Sequence, residues 1–339
     1  MMTANLVSPD GDGAGLSPRL PVLTVVIPTF NRAAMLRECV GSVLGPGNSD
    51  WEVVVADDAS TEDIAGVCRA LGETYGPARV LHSRIEQNRG APNARNRGAA
   101  LGTGRFVVFV DSDDLVESSG LAALVDELAK RPELDYAHGR VLVTDGDKRV
   151  IGSARGVGSS FTPSPVEVAG YHWHTMGIVY RRDYLARLGP WNEALTGSQD
   201  WEYQARVKLN QGRGAFVDAM VGYWRQHAGP RVGASAFRFD YVQSAIAACD
   251  RVMVLARETG YCDVSLERRI AKKLILHAME LGWHGRRAEK RACLDLVGRT
   301  LSGGGRLAWL SAAVRIMPGF ADGVLWRLIR WGSRRRGVV

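Results

Sequence analysis

Apolar residues in the first third of the chain fall into short unbroken runs, and between the runs they recur at helical spacing. Leu23 to Ile27 is a β-branched run closed by Pro28, Trp51 to Ala56 is closed by Asp57 and Asp58, and Phe106 to Val110 is closed by Asp111. Continuous runs of this length suit parallel strands buried on both faces. Ala34, Leu36, Val40, Val43 and Leu44 after the first run, and Ile64, Val67, Cys68 and Leu71 after the second, carry the spacing of amphipathic helices. Strand and helix in alternation predict an α/β fold around a parallel sheet. Such sheets bind ligands at the carboxyl ends of their strands. Polar residues stand at those ends: Thr29, Asn31 and Arg32, then Asp57 and Asp58, then Asp111, Asp113 and Asp114. Asp, Asn and Thr also cap helices, so one such end carries little weight, whereas three in succession point to a site.

The second half is less regular. Asp135 to Val143, the turn at Asp145, Gly146 and Asp147, and Arg149 to Ile151 predict a hairpin. Met176 to Tyr180 and Ala215 to Val217 read as further strands, a helix is predicted from about Asp200 through Val207, and beyond Asp240 the pattern is helical throughout. Residues 1–19, rich in Gly, Ser and Pro, read as a flexible leader.

Composition removes several classes. With 339 residues, 46% hydrophobic and 23% charged, the chain can bury a full core and is neither collagenous nor disordered as a whole. It shows no apolar run long enough to span a bilayer, nor a secretory h-region at its start. Its five cysteines are scattered with no C-x-x-C pair, which indicates neither a disulfide framework nor a zinc site and fits a reducing cytoplasm. The net charge of +7 is concentrated at one end. From Arg286 onward there are twelve Lys/Arg against three acids, so the rest of the chain is slightly acidic and no nucleic-acid partner is expected. Val324, Leu325, Leu328, Ile329 and Trp331 fall on one helical arc beside Arg327, Arg330 and Arg334, ahead of the triple Arg334-Arg335-Arg336. That pattern suits a helix lying on an anionic membrane surface, or a last helix packed on the body with its arginines solvated.

Asp111-Ser112-Asp113-Asp114 crowds three carboxylates onto one strand end, a repulsion that a hard divalent cation, Mg²⁺ or Mn²⁺, relieves. Taken with Pro28-Thr29-Phe30-Asn31-Arg32, Asp57-Asp58-Ala59-Ser60-Thr61, Asn88-Arg89-Gly90 and Ala94-Arg95-Asn96, this D-x-D cluster resembles the nucleotide-sugar half of glycosyltransferase family 2. Val179-Tyr180-Arg181-Arg182, Leu188-Gly189-Pro190-Trp191-Asn192-Glu193, Gln199-Asp200 and Tyr223-Trp224-Arg225-Gln226-His227 are similar to its acceptor region.

The resemblance implies an inverting enzyme of the GT-A (nucleotide-diphospho-sugar transferase) fold: α/β, with a central mixed, mostly parallel sheet and here a C-terminal helical extension. The implied organisation is a catalytic domain over 20–235, divided near 120, followed by the extension over 236–339. It implies that Pro28, Thr29, Phe30, Asn31 and Arg32, with Asp58 and the adjoining Asp57, hold the nucleotide. Arg95 would approach the ribose or diphosphate. Asp113 would bind the metal directly, with Asp111 and Ser112 beside it and His227 near the metal or diphosphate. Asp200 is implied as the general base, although as a helix-opening residue it also reads as an N-cap. His172, Trp173 and His174, with Trp201, are candidates for an acceptor cleft, and core packing accounts equally for the tryptophans.

The Q-x-x-R-W motif of processive synthases is absent, which favours single-residue transfer. The implied partners are a nucleotide-sugar donor, UDP-sugar favoured, and a glycan or lipid-linked acceptor for cell-surface polysaccharide. The implied location is the cytoplasm, peripherally on the inner face of the membrane. No G-x-G-x-x-G follows the first strand, against a nicotinamide dehydrogenase, and no glycine-rich phosphate loop follows it either, against a nucleotidyltransferase. The alternative from another class is a nucleotide-binding module that has lost activity, or a scaffold with a basic tail.

Overall fold

A computed structural model describes residues 20–45, 47–145, 149–152, 168–169, 173–226, 238–303, 305–319 and 321–323. Eight strands form one sheet in the order β3-β2-β1-β4-β7-β6-β8-β5. They are β1 (Leu23–Thr29), β2 (Trp51–Asp57), β3 (Val80–Arg84), β4 (Phe106–Phe109), β5 (Leu115–Val116), β6 (Tyr136–Thr144), β7 (Ile178–Arg181) and β8 (Gly214–Arg225). Pairing is parallel among β3, β2, β1 and β4 and between β6 and β8. It is antiparallel where β7 joins β4 to β6 and where β5 closes on β8.

The sheet is buried on both faces, as its apolar runs predict. Leu23, Val25 and Ile27 of β1 face one core with Val53, Val55, Phe106 and Val108, under α1 (Ala33–Val43), α2 (Ile64–Tyr75) and α4 (Ser118–Lys130). Val26, Val107 and Phe109 face another, rich in aromatic rings, with α5 (Arg182–Leu188) and α6 (Gln199–Leu209). The alternation is the two-residue period of a strand read through both layers. On this second face α3 (Ala91–Leu101) lies close on β1, because a Cβ on Gly98 would stand 2.4 Å from Val26 Cγ1.

Beyond the sheet, α7 (Phe239–Glu258), α8 (Val264–Trp283), α9 (Arg287–Thr300) and α10 (Arg306–Ile316) surround a further core of Val252, Leu274, Met279 and Val297. That core reaches back into α6 through Trp201, Ala205 and Leu209. The Ser244 hydroxyl donates to the Gly197 carbonyl at 2.7 Å, and Arg251 meets Glu202 at 2.9 Å. The helix carrying Asp200 is therefore held from both sides, by the sheet and by the helical extension. No helix among the described residues is long and apolar enough to cross a membrane. The basic segment 324–339 lies outside the described residues, as do residues 1–19.

Candidate active site

The carboxyl ends of β1, β2 and β4 lie side by side, and their loops are tied together by polar side chains. Asn31 adopts φ 51°, a left-handed conformation that asparagine tolerates. Its N–H donates to Ser60 Oγ at 2.9 Å, and its Oδ1 accepts from the Thr61 N–H at 2.7 Å. Asn31 thus joins the loop after β1 to the loop after β2. Pro28 pairs with Ala56 in the register of these strands, Thr29 is buried, and Phe30 stands 44% exposed at the mouth.

The two acids that close β2 are fixed by their surroundings. Asp57 is fully buried, accepting from the Ser60 N–H at 2.9 Å and paired with Arg84 at 2.9 Å. Asp58 accepts from the Arg89 and Gly90 N–H groups at 2.8 and 2.7 Å, gripping the loop that leads into α3. Both therefore also fix the shape of the strand ends.

At the end of β4 the acid cluster divides. Asp111, whose side chain is 30% exposed, pairs with Arg95 at 2.7 Å. Burial raises its pKa, but Arg95, His174 and Arg32 outweigh that and hold it below the usual carboxylate range. Asp113, 12% exposed, pairs with Arg32 at 2.8 Å. Ser112 is buried between them. Asp114 is fully enclosed. Its Oδ1 accepts from the Arg225 N–H at 3.0 Å, and its Oδ2 lies 3.6 Å from His174 Nε2. Burial, then repulsion from Asp111 and Asp113, pushes the Asp114 carboxyl well above its ordinary value. Arg225 Nε also donates to the Asp113 carbonyl at 2.5 Å and pairs with Glu38, so β8 braces the acid turn from beneath.

Arg95 connects this cluster to α6. It is 2% exposed, with Nη2 on Asp111 at 2.7 Å and Nη1 3.3 Å from Asp200. Its guanidinium carbon lies 4.5 Å from the centroid of Trp191, whose ring stacks on Tyr203 at 4.0 Å and 2°. The Trp191 backbone is latched to α3, its N–H donating to Asn96 Oδ1 at 2.8 Å. Glu193 accepts from Asn93 and Asn96 at 2.7 and 2.9 Å.

Asp200 lies in the first turn of α6, and Ser198, at φ 56°, holds the N-cap position, so the capping reading does not describe Asp200. Burial raises the pKa of Asp200; Arg95 opposes this, Asp111 adds to it, and the Thr175 hydroxyl bonded to the carboxylate opposes it, for a net upward shift. Asp200 is thus a carboxylate of raised proton affinity set beside the strand-end acid cluster.

The aromatic candidates for an acceptor cleft lie elsewhere. Trp201 is 5% exposed, its indole N–H donating to the Val168 carbonyl and its ring under Lys273. Trp173 is packed against Tyr136 and His138. Neither has an open face for a sugar, because both fill cores. His174, buried at 4%, belongs to the acid cluster, where Asp111, Asp114 and His174 place ligand atoms within 4.8 Å of one another. His172 and His227 lie outside the described residues. Asp114 was part of the predicted acid cluster, but its burial against Arg225 and His174, and the place of His174 and Trp191 beside the acids, did not emerge from the sequence. The D-x-D-D spacing was the local signal for Asp114, since the Asp114 N–H closes a turn on the Asp111 carbonyl at 3.0 Å.

The sheet order and the site at its strand ends define a GT-A-type nucleotide-sugar transferase fold. The crystal structure of S. aureus TarS 1–349 in complex with UDP-GlcNAc matches over 93% of this chain and 92% of that one, with TM-score 0.65 and 18% identity. At that identity the likeness establishes the fold. Residues 24–188 match the sequence profile of Glycosyl transferase family 2, and this segment is a domain of that family. A PGL/p-HBAD biosynthesis glycosyltransferase of Mycobacterium bovis is 27% identical over 191 residues, covering 56% of this chain and 71% of the relative. The uncharacterized glycosyltransferase alr2836 of Nostoc is 29% identical over 174 residues, covering 50% and 53%.

Proposed function

We propose that the chain transfers a sugar, with inversion, from a nucleoside-diphosphate donor to a hydroxyl of a glycan or lipid-linked glycan in cell-surface polysaccharide synthesis. The observation that carries this reading is the single buried guanidinium of Arg95 set between the strand-end acid Asp111 and the helix-borne acid Asp200. Inversion needs one base on the acceptor side and positive counter-charge on the leaving-group side; Asp200 is the base, and Asp111 would hold the cation that provides the counter-charge. Relatives named as glycosyltransferases speak for an enzyme over an inactive binding module. The UDP and UDP-GlcNAc complexes of the S. aureus neighbour favour a uridine donor.

The acid cluster fits Mn²⁺ or Mg²⁺: its outward donors are oxygens, and Asp111 is held ionised. Asp111 and Asp113 are the partly exposed members and would face an ion shared with substrate. The Asp114 and His174 side chains, 2% and 4% exposed, are too enclosed to share one and would orient Asp111 from behind. His227, where the family resemblance puts a further ligand, stays a candidate. When bound, the ion supplies positive charge to the departing diphosphate. The strand-end loops with Phe30 and Asp58 hold the nucleotide. Asp200 accepts the proton of the acceptor hydroxyl as its oxygen attacks the anomeric carbon. The basic C-terminal segment holds the enzyme peripherally on the inner face of the cytoplasmic membrane.

The test is release of free nucleoside diphosphate from UDP-, GDP- and dTDP-sugars, with Mn²⁺ and with chelator. Release from one donor that chelator stops supports the reading. A chain that binds a donor yet releases no diphosphate under any condition is the inactive binding module.

A further inference from the structure

The two most exposed large apolar side chains of the described residues sit on one helix: Trp309 at 81% and Ile316 at 85%, both on α10. At about 100° per residue, Trp309, Ala312 and Ile316 fall within an arc of about 60°. Arg306 lies about 60° beyond one edge of that arc and Arg315 about 60° beyond the other. The buried residues of α10, Ser311 and Val314, are on the opposite side, against α8 and α9. The helix therefore uses its inward face for the protein core and carries a second apolar face outward, bordered on one side by Arg306 and on the other by Arg315, which pairs with Asp295 of α9 at 2.7 Å. A helix that only closes a core needs no outward tryptophan.

We propose that this outward face of α10 is a docking surface for an anionic phospholipid bilayer, with Trp309 and Ile316 entering the headgroup boundary and Arg306 meeting lipid phosphate. Charge selects the occupant. Residues 286–323 carry seven Lys/Arg against three acids, and the segment that follows adds five arginines and no acid, a positive region of the chain that an anionic surface attracts and a second copy of the same chain end repels. Tryptophan with an apolar neighbour and flanking arginines is the composition of an interfacial helix. The inference deepens the proposed membrane attachment by adding a folded surface to the basic tail, and it does not depend on the role given to Asp200.

The full chain is sedimented with vesicles of phosphatidylcholine alone and with about 30 mol % phosphatidylglycerol. Binding to the anionic vesicles only is expected, with the double variant Trp309→Asp/Ile316→Asp reducing the bound fraction about tenfold or more. Trp309→Phe is expected to retain binding, and both variants are expected to keep the parent's thermal unfolding and its nucleoside diphosphate release. Replacing Arg334, Arg335 and Arg336 by serine tests the tail separately. If that triple variant abolishes binding while Trp309→Asp/Ile316→Asp leaves it intact, the tail reading stands and the α10 surface is overturned. Sedimentation velocity showing a dimer that the double variant dissociates also overturns it, because the face is then an interface between copies.

Discussion

Arg95 Nη1 and Asp200 Oδ1 lie 3.3 Å apart at a site where the arginine is almost wholly buried, and the same guanidinium holds Asp111 at 2.7 Å. The pairing makes the ionisation of Asp200 depend on Arg95. A base works only when ionised, and burial has already raised Asp200 above its ordinary value. The acid limb of kcat/KM is therefore expected above the usual carboxylate range. In Arg95→Gln the opposing positive charge is gone, so that limb moves to still higher pH. Arg95→Lys, which keeps the charge, shifts the limb less. A pH–rate profile unchanged by Arg95→Gln would separate Asp200 from the base.

Asp114 and Asp111 are distinguished by protonation. The Asp114 folded-state pKa is raised, so its contribution to stability is present at low pH and is lost as pH rises through the folded value. Asp114→Asn, which keeps a neutral side chain, is expected to lack that fall in stability and to weaken Mn²⁺ binding far less than Asp111→Asn does. Asp111→Asn is expected to lose Mn²⁺ binding. Urea unfolding across pH and the paramagnetic resonance of free Mn²⁺ measure the two effects.

Arg32 occupies the Asp113 carboxylate at 2.8 Å. An ion binding there competes with it, so Arg32→Ala is expected to tighten Mn²⁺ binding. The gain is about threefold to fivefold if the partly buried pair contributes up to about 1 kcal/mol. Weaker metal binding in this variant would make Arg32 a support for the ion.

Glu202, 1% exposed, meets Arg206 from its own helix and Arg251 of α7, both at 2.9 Å. Glu202→Ala leaves the buried Arg206 without its carboxylate and is expected to cost about 3 kcal/mol by equilibrium unfolding. Arg251→Ala, which removes the exposed partner, is expected to cost less than about 1 kcal/mol.

Much of the catalytic half was legible because a strand buried on both faces must be apolar throughout. Leu23, Trp51 and Phe106 each open a strand where the pattern changes, and Asp57 and Asp111 stand at or just beyond the ends. Val80 to Arg84 escaped detection as a strand because this edge of the sheet needs few buried side chains. β8 runs from Gly214 to Arg225, far beyond the predicted Ala215 to Val217, because its pairing with β6 tolerates polar positions such as Asp218. The place of Arg95 was hidden for a different reason. Its burial is set by Trp191 and Asp200, about a hundred residues on, and local spacing carries no trace of such contacts. Trp173 and Trp201 look alike in sequence whether they fill a core or face a sugar, and only the packing of β6, α6 and α8 decides it.

The central claim is that Asp200 removes the acceptor proton while the strand-end acids manage the donor. Measuring donor affinity and turnover side by side for Asp200→Asn tests it most directly. The account predicts donor affinity within about threefold of the parent and turnover lower by about 10²–10⁴-fold. Near-parental turnover on the acceptor would contradict it.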